Sequence, residues 1–188
     1  MNLLFAAAAD LEAFCRSRSW RWAIIGGLAV QRWGEPRQTR DVDVSILTGL
    51  RGEDRFIDAL LAAYRPRIPD ARPFAVAHRV VLVETATGVP LDISLAGIPY
   101  EERVIDRSTP FAIEAGTTLT TCSAEDLVVL KAFADRPQDW LDIEGVLARQ
   151  AGALDRTLMV DELGLLLNLK EDDAPGVRLR ELFKRHPG

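Results

Sequence analysis

The sequence predicts an α+β protein, with a mixed β-sheet core flanked by helices and followed by a C-terminal helical part. Two observations favour this class. Strand-like and helix-like patterns alternate up to about residue 118, whereas the rest of the 188 residues carries only helical patterns. A chain of this length can bury a substantial hydrophobic interior. We therefore predict an α/β core over residues 1–118 and a helical subdomain over residues 119–188.

The elements of the core follow from hydrophobic periodicity and turn residues. Residues 3–17 have helical spacing, and the short apolar run 22–25 predicts a strand that ends at a Gly26-Gly27 turn. The later predicted elements are a helix at 28–33, a strand at 41–46, a helix at 53–64, a Pro-rich break, and a hairpin of strands 79–84 and 89–95. Four helical stretches follow, at 123–135, from 137 onward, at 158–169 and at 177–185.

Composition restricts the function classes. The net charge of −5 provides no general basic field for nucleic acid, although six arginines between residues 16 and 40 could form a local patch. The two cysteines, Cys15 and Cys122, lack zinc-site spacing. No apolar run approaches the length of a membrane span. We therefore expect a cytoplasmic protein that does not bind membranes.

Two carboxylates share one face of a predicted strand. In Asp41-Val42-Asp43-Val44 the apolar residues alternate with the acids, so Asp41 and Asp43 point the same way. Acids this close together favour a shared divalent cation, and Mg²⁺ prefers carboxylates, waters and substrate phosphates. Asp92, on another predicted strand, is the candidate third acid. The alternative is a solvated strand at the edge of a sheet, where charges discourage aggregation.

The pair Gly26-Gly27 lies between a predicted strand and a predicted helix. Glycines there let the backbone approach a phosphate at the start of the helix. The alternative is a tight connection that binds no ligand.

The order of these features resembles the polymerase-β-like nucleotidyltransferase superfamily. In that family a hydrophobic-Gly-Gly/Ser turn precedes an Asp-X-Asp strand, as Ile25-Gly26-Gly27 precedes Asp41-Val42-Asp43 here. The R-X-T-X-D-X-D form, with Arg37 and Thr39, is most similar to the minimal AbiEii-type enzymes of toxin–antitoxin systems. The resemblance continues through the segment around Lys131 and covers about residues 22–147.

This resemblance implies a mixed-sheet nucleotidyltransferase core and specific residue roles. Asp41, Asp43 and Asp92 would be the catalytic metal ligands, holding two Mg²⁺ ions, with Mn²⁺ as an alternative. The residues that would bind the nucleotide are Gly26, Gly27, Arg40 and Lys131. The implied reaction moves a nucleoside monophosphate from an NTP to a tRNA end, a protein or a small hydroxylated molecule. A cognate toxin or antitoxin is a further implied partner. A non-catalytic, antitoxin-like binding module with the same fold is the alternative.

The helical part leaves the role of Lys131 open. Asp135 lies four residues after it, so a surface ion pair is one interpretation. Asp139 and Asp142 could equally form the solvated face of an amphipathic helix. The order of these residues after the acid-bearing strands favours a functional role.

Overall fold

The computed structural model describes residues 2–114 and 116–187. Over these residues the chain forms one seven-stranded sheet and nine helices, so the predicted α+β class with a mixed sheet is confirmed. The strands are β1 (Trp22–Ile24), β2 (Val42–Leu47), β3 (Arg65–Pro66), β4 (Val80–Glu84), β5 (Pro90–Ala96), β6 (Thr109–Glu114) and β7 (Thr117–Thr121). The helices are α1 (Leu3–Ser17), α2 (Gly26–Trp33), α3 (Asp54–Ala63), α4 (Ala71–His78), α5 (Pro99–Asp106), α6 (Ala124–Ala134), α7 (Pro137–Arg149), α8 (Arg156–Lys170) and α9 (Ala174–Arg185).

The sheet has the strand order β3-β4-β5-β2-β1-β7-β6. The pairs β2/β5 and β1/β7 are parallel, and the other neighbours are antiparallel. β2 and β5 are therefore interior strands whose backbone groups pair on both sides. An interior position holds a strand's register firmly, which matters because both strands carry acids.

Alternation along the interior strands separates the core from the acids. Val42, Val44, Leu91 and Ile93 are fully or almost fully buried in the main apolar cluster. Helix α1 supplies Leu11 to the same cluster, and the Asn2 side chain caps this helix by accepting a hydrogen bond from the Leu4 N–H at 3.0 Å. The core face of the sheet is thereby covered, while the intervening side chains lie on the other face.

Five elements were not predicted, namely β3, α4, α5, β6 and β7. The predicted Pro-rich break contains β3 and α4. Helix α4 accommodates Pro73 because this residue lies in the first turn, where the missing N–H costs nothing. Helix α5 is similarly opened by Pro99, and Glu101 accepts hydrogen bonds from the N–H groups of Gly97 and Ile98. The sequence does not predict β7 because Leu119 is its single apolar side chain among threonines, so the segment has no alternating apolar pattern.

The chain divides into two compact units. One contains residues up to 28 together with 38–122, and the other contains residues 29–37 together with those from 123 onward. The predicted division after residue 118 cuts through β7, whose last residues pair with β1 and β6. The α/β unit therefore extends to residue 122, and most of α2 belongs with the helical unit.

Helix α6 begins where the sequence predicted. Ser123 caps α6 by accepting a hydrogen bond from the Asp126 N–H at 3.0 Å. Leu127 and Val128 of α6 and Leu163 of α8 are almost completely buried. Among the residues described, no helix has the length and apolar character needed to cross a membrane.

Leu11→Ala should lower the free energy of unfolding by about 2–5 kcal/mol, because the side chain is 1% exposed and its loss leaves a cavity. Leu3→Ala on the same helix is the matched control, since Leu3 is 60% exposed and its change should stay within about 0.5 kcal/mol. Urea unfolding of both variants measures the difference. Equal losses would contradict the packing described for α1.

Candidate active site

The paired acids lie at the beginning of β2. Asp41 immediately precedes this strand and Asp43 is its second residue; both side chains are half-buried. The Thr39 hydroxyl donates a hydrogen bond to Asp41 Oδ1 at 3.0 Å. The Ile25 N–H donates to the Asp43 carbonyl oxygen at 2.9 Å, so the backbone leading into α2 is tied to the acid-bearing strand.

The structure brings Asp92 to the same place. In the parallel ladder between β2 and β5, Asp92 is the register partner of Asp43. Each of Asp41, Asp43 and Asp92 offers a carboxylate oxygen, and these three oxygens lie within 4.8 Å of one another. Three acids that are spread over about fifty residues of the sequence thus form one half-buried cluster on an interior part of the sheet.

Gly26 and Gly27 approach this cluster closely because they lack side chains. Both are the first residues of α2 rather than a separate turn, and Gly26 has a φ of +60°. A Cβ at Gly26 would lie 1.9 Å from Asp43 Oδ2, and one at Gly27 would lie 2.4 Å from Thr39 Oγ1. The Gly27 N–H points at Asp43 Oδ2 at 3.4 Å. The start of a helix therefore lies beside the carboxylates with no side chain between them.

The environment of Asp92 opposes its ionisation. Burial raises the pKa of this carboxyl above its usual range, the nearby Arg67 guanidinium works against that rise, and the charge of Asp41 adds to it. Arg67 forms an ion pair with Asp92 Oδ1. Sequence reasoning missed Arg67, since it lies in the Pro-rich segment and belongs to no recognisable motif.

The donor set fits a divalent cation. It consists of carboxylate oxygens alone, the ligand type that Mg²⁺ prefers, and the half-buried oxygens leave room for water or phosphate ligands. The backbone at Gly26 and Gly27 adjoins the same cluster so closely that no Cβ would fit there. Arg40, the remaining predicted nucleotide ligand of this unit, is exposed directly before Asp41.

Lys131 lies in the helical unit, within a buried ionic cluster. Its ammonium group donates a hydrogen bond to Asp139 Oδ1 at 2.8 Å and lies 2.6 Å from Asp142 Oδ2. All three residues are less than 10% exposed. Asp135 instead accepts a hydrogen bond from the Trp140 ring nitrogen at 2.6 Å. The interpretations as a surface ion pair and a solvated helix face are therefore wrong, whereas nucleotide binding by Lys131 stays a prediction.

Arg37 completes this cluster. Its Nε and Nη2 atoms donate to the two oxygens of Asp142 at 2.7 and 2.9 Å, a bidentate geometry typical of strong Arg–carboxylate pairs. Burial acts to raise the pKa of Asp142, but hydrogen bonds from Arg37 and Lys131 outweigh it and hold the pKa below its usual value of 3.8. The sequence marked Arg37 as part of the R-X-T-X-D-X-D pattern, and the structure pairs it with α7.

Comparison with solved structures identifies the fold. An antigenic nucleotidyltransferase-like protein from Paracoccidioides brasiliensis is similar over 96% of this chain and 92% of its own, with a TM-score of 0.55 and 16% identity. The antibiotic-resistance factor ANT(2'')-Ia is similar over 97% of this chain and 96% of its own, with a TM-score of 0.51 and 18% identity. No family model and no curated protein matches the sequence significantly. The chain thus has a nucleotidyltransferase-like fold.

Asp142→Asn should destabilise the protein by about 3 kcal/mol at neutral pH, because it removes the buried negative charge that Arg37 and Lys131 share. The folded-state pKa of Asp142 is lowered, so its stabilising contribution is present above the unfolded pKa and is lost as the pH falls through the folded value. The gap between wild type and variant should therefore narrow below about pH 4. Urea unfolding across this pH range measures it.

Asp161→Asn provides the control, since Asp161 is an exposed acid on α8 of the same unit. Its stability should stay close to wild type at every pH. A gap for Asp142→Asn that persists unchanged in acid would show that the loss does not come from the carboxylate charge.

Proposed function

We propose that this protein is a Mg²⁺-dependent nucleotidyltransferase that moves a nucleoside monophosphate from an NTP to a hydroxyl acceptor and releases pyrophosphate. The observation that carries the proposal is the convergence of Asp41, Asp43 and Asp92 beside the side-chain-free start of α2. The nucleotidyltransferase-like fold supports it. Two Mg²⁺ ions, with Mn²⁺ as the alternative, are the proposed cofactors.

In the proposed reaction the acceptor hydroxyl oxygen bonds to the α-phosphorus of the NTP, and the bond from that phosphorus to the pyrophosphate oxygen breaks. Asp92 receives the hydroxyl proton, a role that suits a carboxyl whose pKa is raised by burial. Asp41 and Asp43 would hold the divalent cations, which supply charge stabilisation at the reacting phosphoryl group. Backbone N–H groups at Gly26 and Gly27 bind the triphosphate at the start of α2, and Arg40 adds a cation beside it.

The acceptor belongs to one of three proposed classes, a tRNA end, a protein or a small hydroxylated molecule. The structural relative described as an antibiotic-resistance factor makes the small-molecule class worth testing first. The net charge of −5 weighs against a long RNA, because many phosphate contacts require compensating cations. We further propose a cytoplasmic role within a toxin–antitoxin pair, on the resemblance of the R-X-T-X-D-X-D segment.

Asp43→Asn should reduce Mn²⁺ binding and nucleotide transfer together by about a hundredfold or more, since even partners of metal ligands are worth about 10–100-fold. Paramagnetic resonance measures Mn²⁺ binding, and NTP labelled at the α-phosphate measures transfer. Asp58→Asn is the matched control, because Asp58 is a 59% exposed acid that pairs with Arg72 on the surface of the same unit.

Transfer by Asp43→Asn at the wild-type rate would contradict the proposed function. NTP binding by the wild type with no pyrophosphate release, under any acceptor, would instead support the non-catalytic nucleotide-binding module. The two results differ because the first concerns the site residues and the second concerns turnover.

The acceptor class can be assigned by supplying each labelled NTP with total tRNA, with a protein lysate and with a small-molecule extract. Nuclease, protease and size filtration then show which fraction carries the label. We expect the wild type to label one fraction and the Asp43→Asn variant to leave that fraction unlabelled. Label that persists with the variant would come from another enzyme.

A further inference from the structure

Arg67 lies on the side of Asp92 away from the paired acids. Asp92 has Asp43 as its register partner on β2 and Leu82 as its partner on β4. The Arg67 N–H donates to the Leu82 carbonyl oxygen at 3.1 Å, which extends the β3–β4 ladder by one residue. A single row across the sheet therefore runs Arg67, Leu82, Asp92, Asp43, and the glycines at the start of α2 follow β1 on the far side of β2.

This row gives the two sides of Asp92 different chemistry. The β2 side carries the other two carboxylates and the start of α2, which suit cations and a triphosphate. The β4 side carries the half-buried apolar side chains of Val80 and Leu82 and the guanidinium of Arg67. With the nucleotide of the proposed reaction on the β2 side, an acceptor whose hydroxyl meets Asp92 would approach over β4.

The Arg67–Asp92 ion pair competes with a metal for the same carboxylate. An arginine stays charged at all physiological pH values, so it cannot relieve the competition by losing a proton. When Asp92 joins Asp41 and Asp43 around a divalent cation, the cation offsets the charge of the carboxylate and repels the guanidinium, so the Arg67–Asp92 ion pair is weakened. Its side chain is 26% exposed, and its backbone is fixed by the ladder to β4, so the guanidinium can turn towards an incoming group.

Arg65 differs from Arg67 in one decisive respect. It pairs with Glu84, which is not part of the carboxylate cluster, and its side chain is 74% exposed. Metal binding at the cluster leaves this pair intact. Of these two arginines on the same edge segment, Arg67 is the one whose ion pair a bound metal would weaken.

We propose that Arg67 binds an oxyanion of the acceptor, a phosphate or carboxylate near the reacting hydroxyl, and that metal binding makes it available by releasing it from Asp92. The inference rests on the proposed function. Guanidinium groups match both oxyanions by paired N–H donors. An acceptor with only hydroxyl and amino groups has no oxyanion to pair with Arg67, so the site selects anionic hydroxyl compounds.

Calorimetric titration with glycerol 3-phosphate, glycerate and glycerol tests the inference without turnover. The decisive variant is Asp92→Asn in the absence of metal, where the guanidinium has lost its anionic partner although no cation is present. This variant should bind one or both anionic probes at least about tenfold more tightly than the metal-free wild type, as expected for charge-assisted hydrogen bonds, and should not bind glycerol. The relative affinities of the two anions distinguish a phosphate source from a carboxylate source.

The doubly substituted protein Asp92→Asn with Arg67→Gln should lose this gain, whereas Asp92→Asn with Arg65→Gln should keep it. Equal losses of anion affinity in both double variants would show a general charge effect and overturn the inference. The absence of any gain in anion affinity in Asp92→Asn itself would also overturn it. Urea unfolding verifies that each variant is folded, and Arg67→Lys, which keeps the charge without the paired donors, should retain only part of the gain.

The outcome is separable from that of the proposed function. Missing anion binding contradicts the role of Arg67 even when the wild type transfers nucleotides. Missing pyrophosphate release contradicts the proposed function even when Asp92→Asn binds the anions through Arg67.

Discussion

The candidate site depends on the parallel register between β2 and β5. That register sets Asp43 directly opposite Asp92, and Asp41 joins them from the residue before β2. A shift of one residue in this register would turn either Asp43 or Asp92 towards the apolar core, where an unpaired carboxylate is costly. The buried side chains on the other face, such as Val44 and Ile93, hold the register, so core packing and site geometry are the same constraint.

Charge is handled differently in the two units. In the helical unit the buried Lys131 pairs with Asp139 and Asp142, and the half-buried Arg37 pairs with Asp142, so both acids have a cationic partner. In the sheet, three carboxylates lie close together, and Arg67 forms an ion pair with one of them. Removing one partner from a paired cluster destabilises a fold, whereas a group of carboxylates close together is the arrangement that a cation site requires.

The sequence was most informative where its patterns are local. Alternation along Asp41-Val42-Asp43-Val44 and the N-cap residue Ser123 predicted β2 and α6 to within about two residues, as expected for strongly patterned elements. The threonine-rich β7 lacked such a pattern because its strand character comes from its neighbours β1 and β6. Arg67 could not be found for the same reason. Its proximity to Asp92 depends on the pairing of β3 with β4, which no local motif encodes.

The parallel pairing of β2 and β5 also has a consequence for how the chain folds. Asp43 and Asp92 are about fifty positions apart, and the connection between them includes α3, β3, α4 and β4, so their strands meet only after a long loop has closed. The hairpin of β4 and β5 can form early, because its strands are neighbours in sequence. The carboxylate cluster is therefore assembled late, and a divalent cation that binds all three acids would act as a probe of the completed sheet.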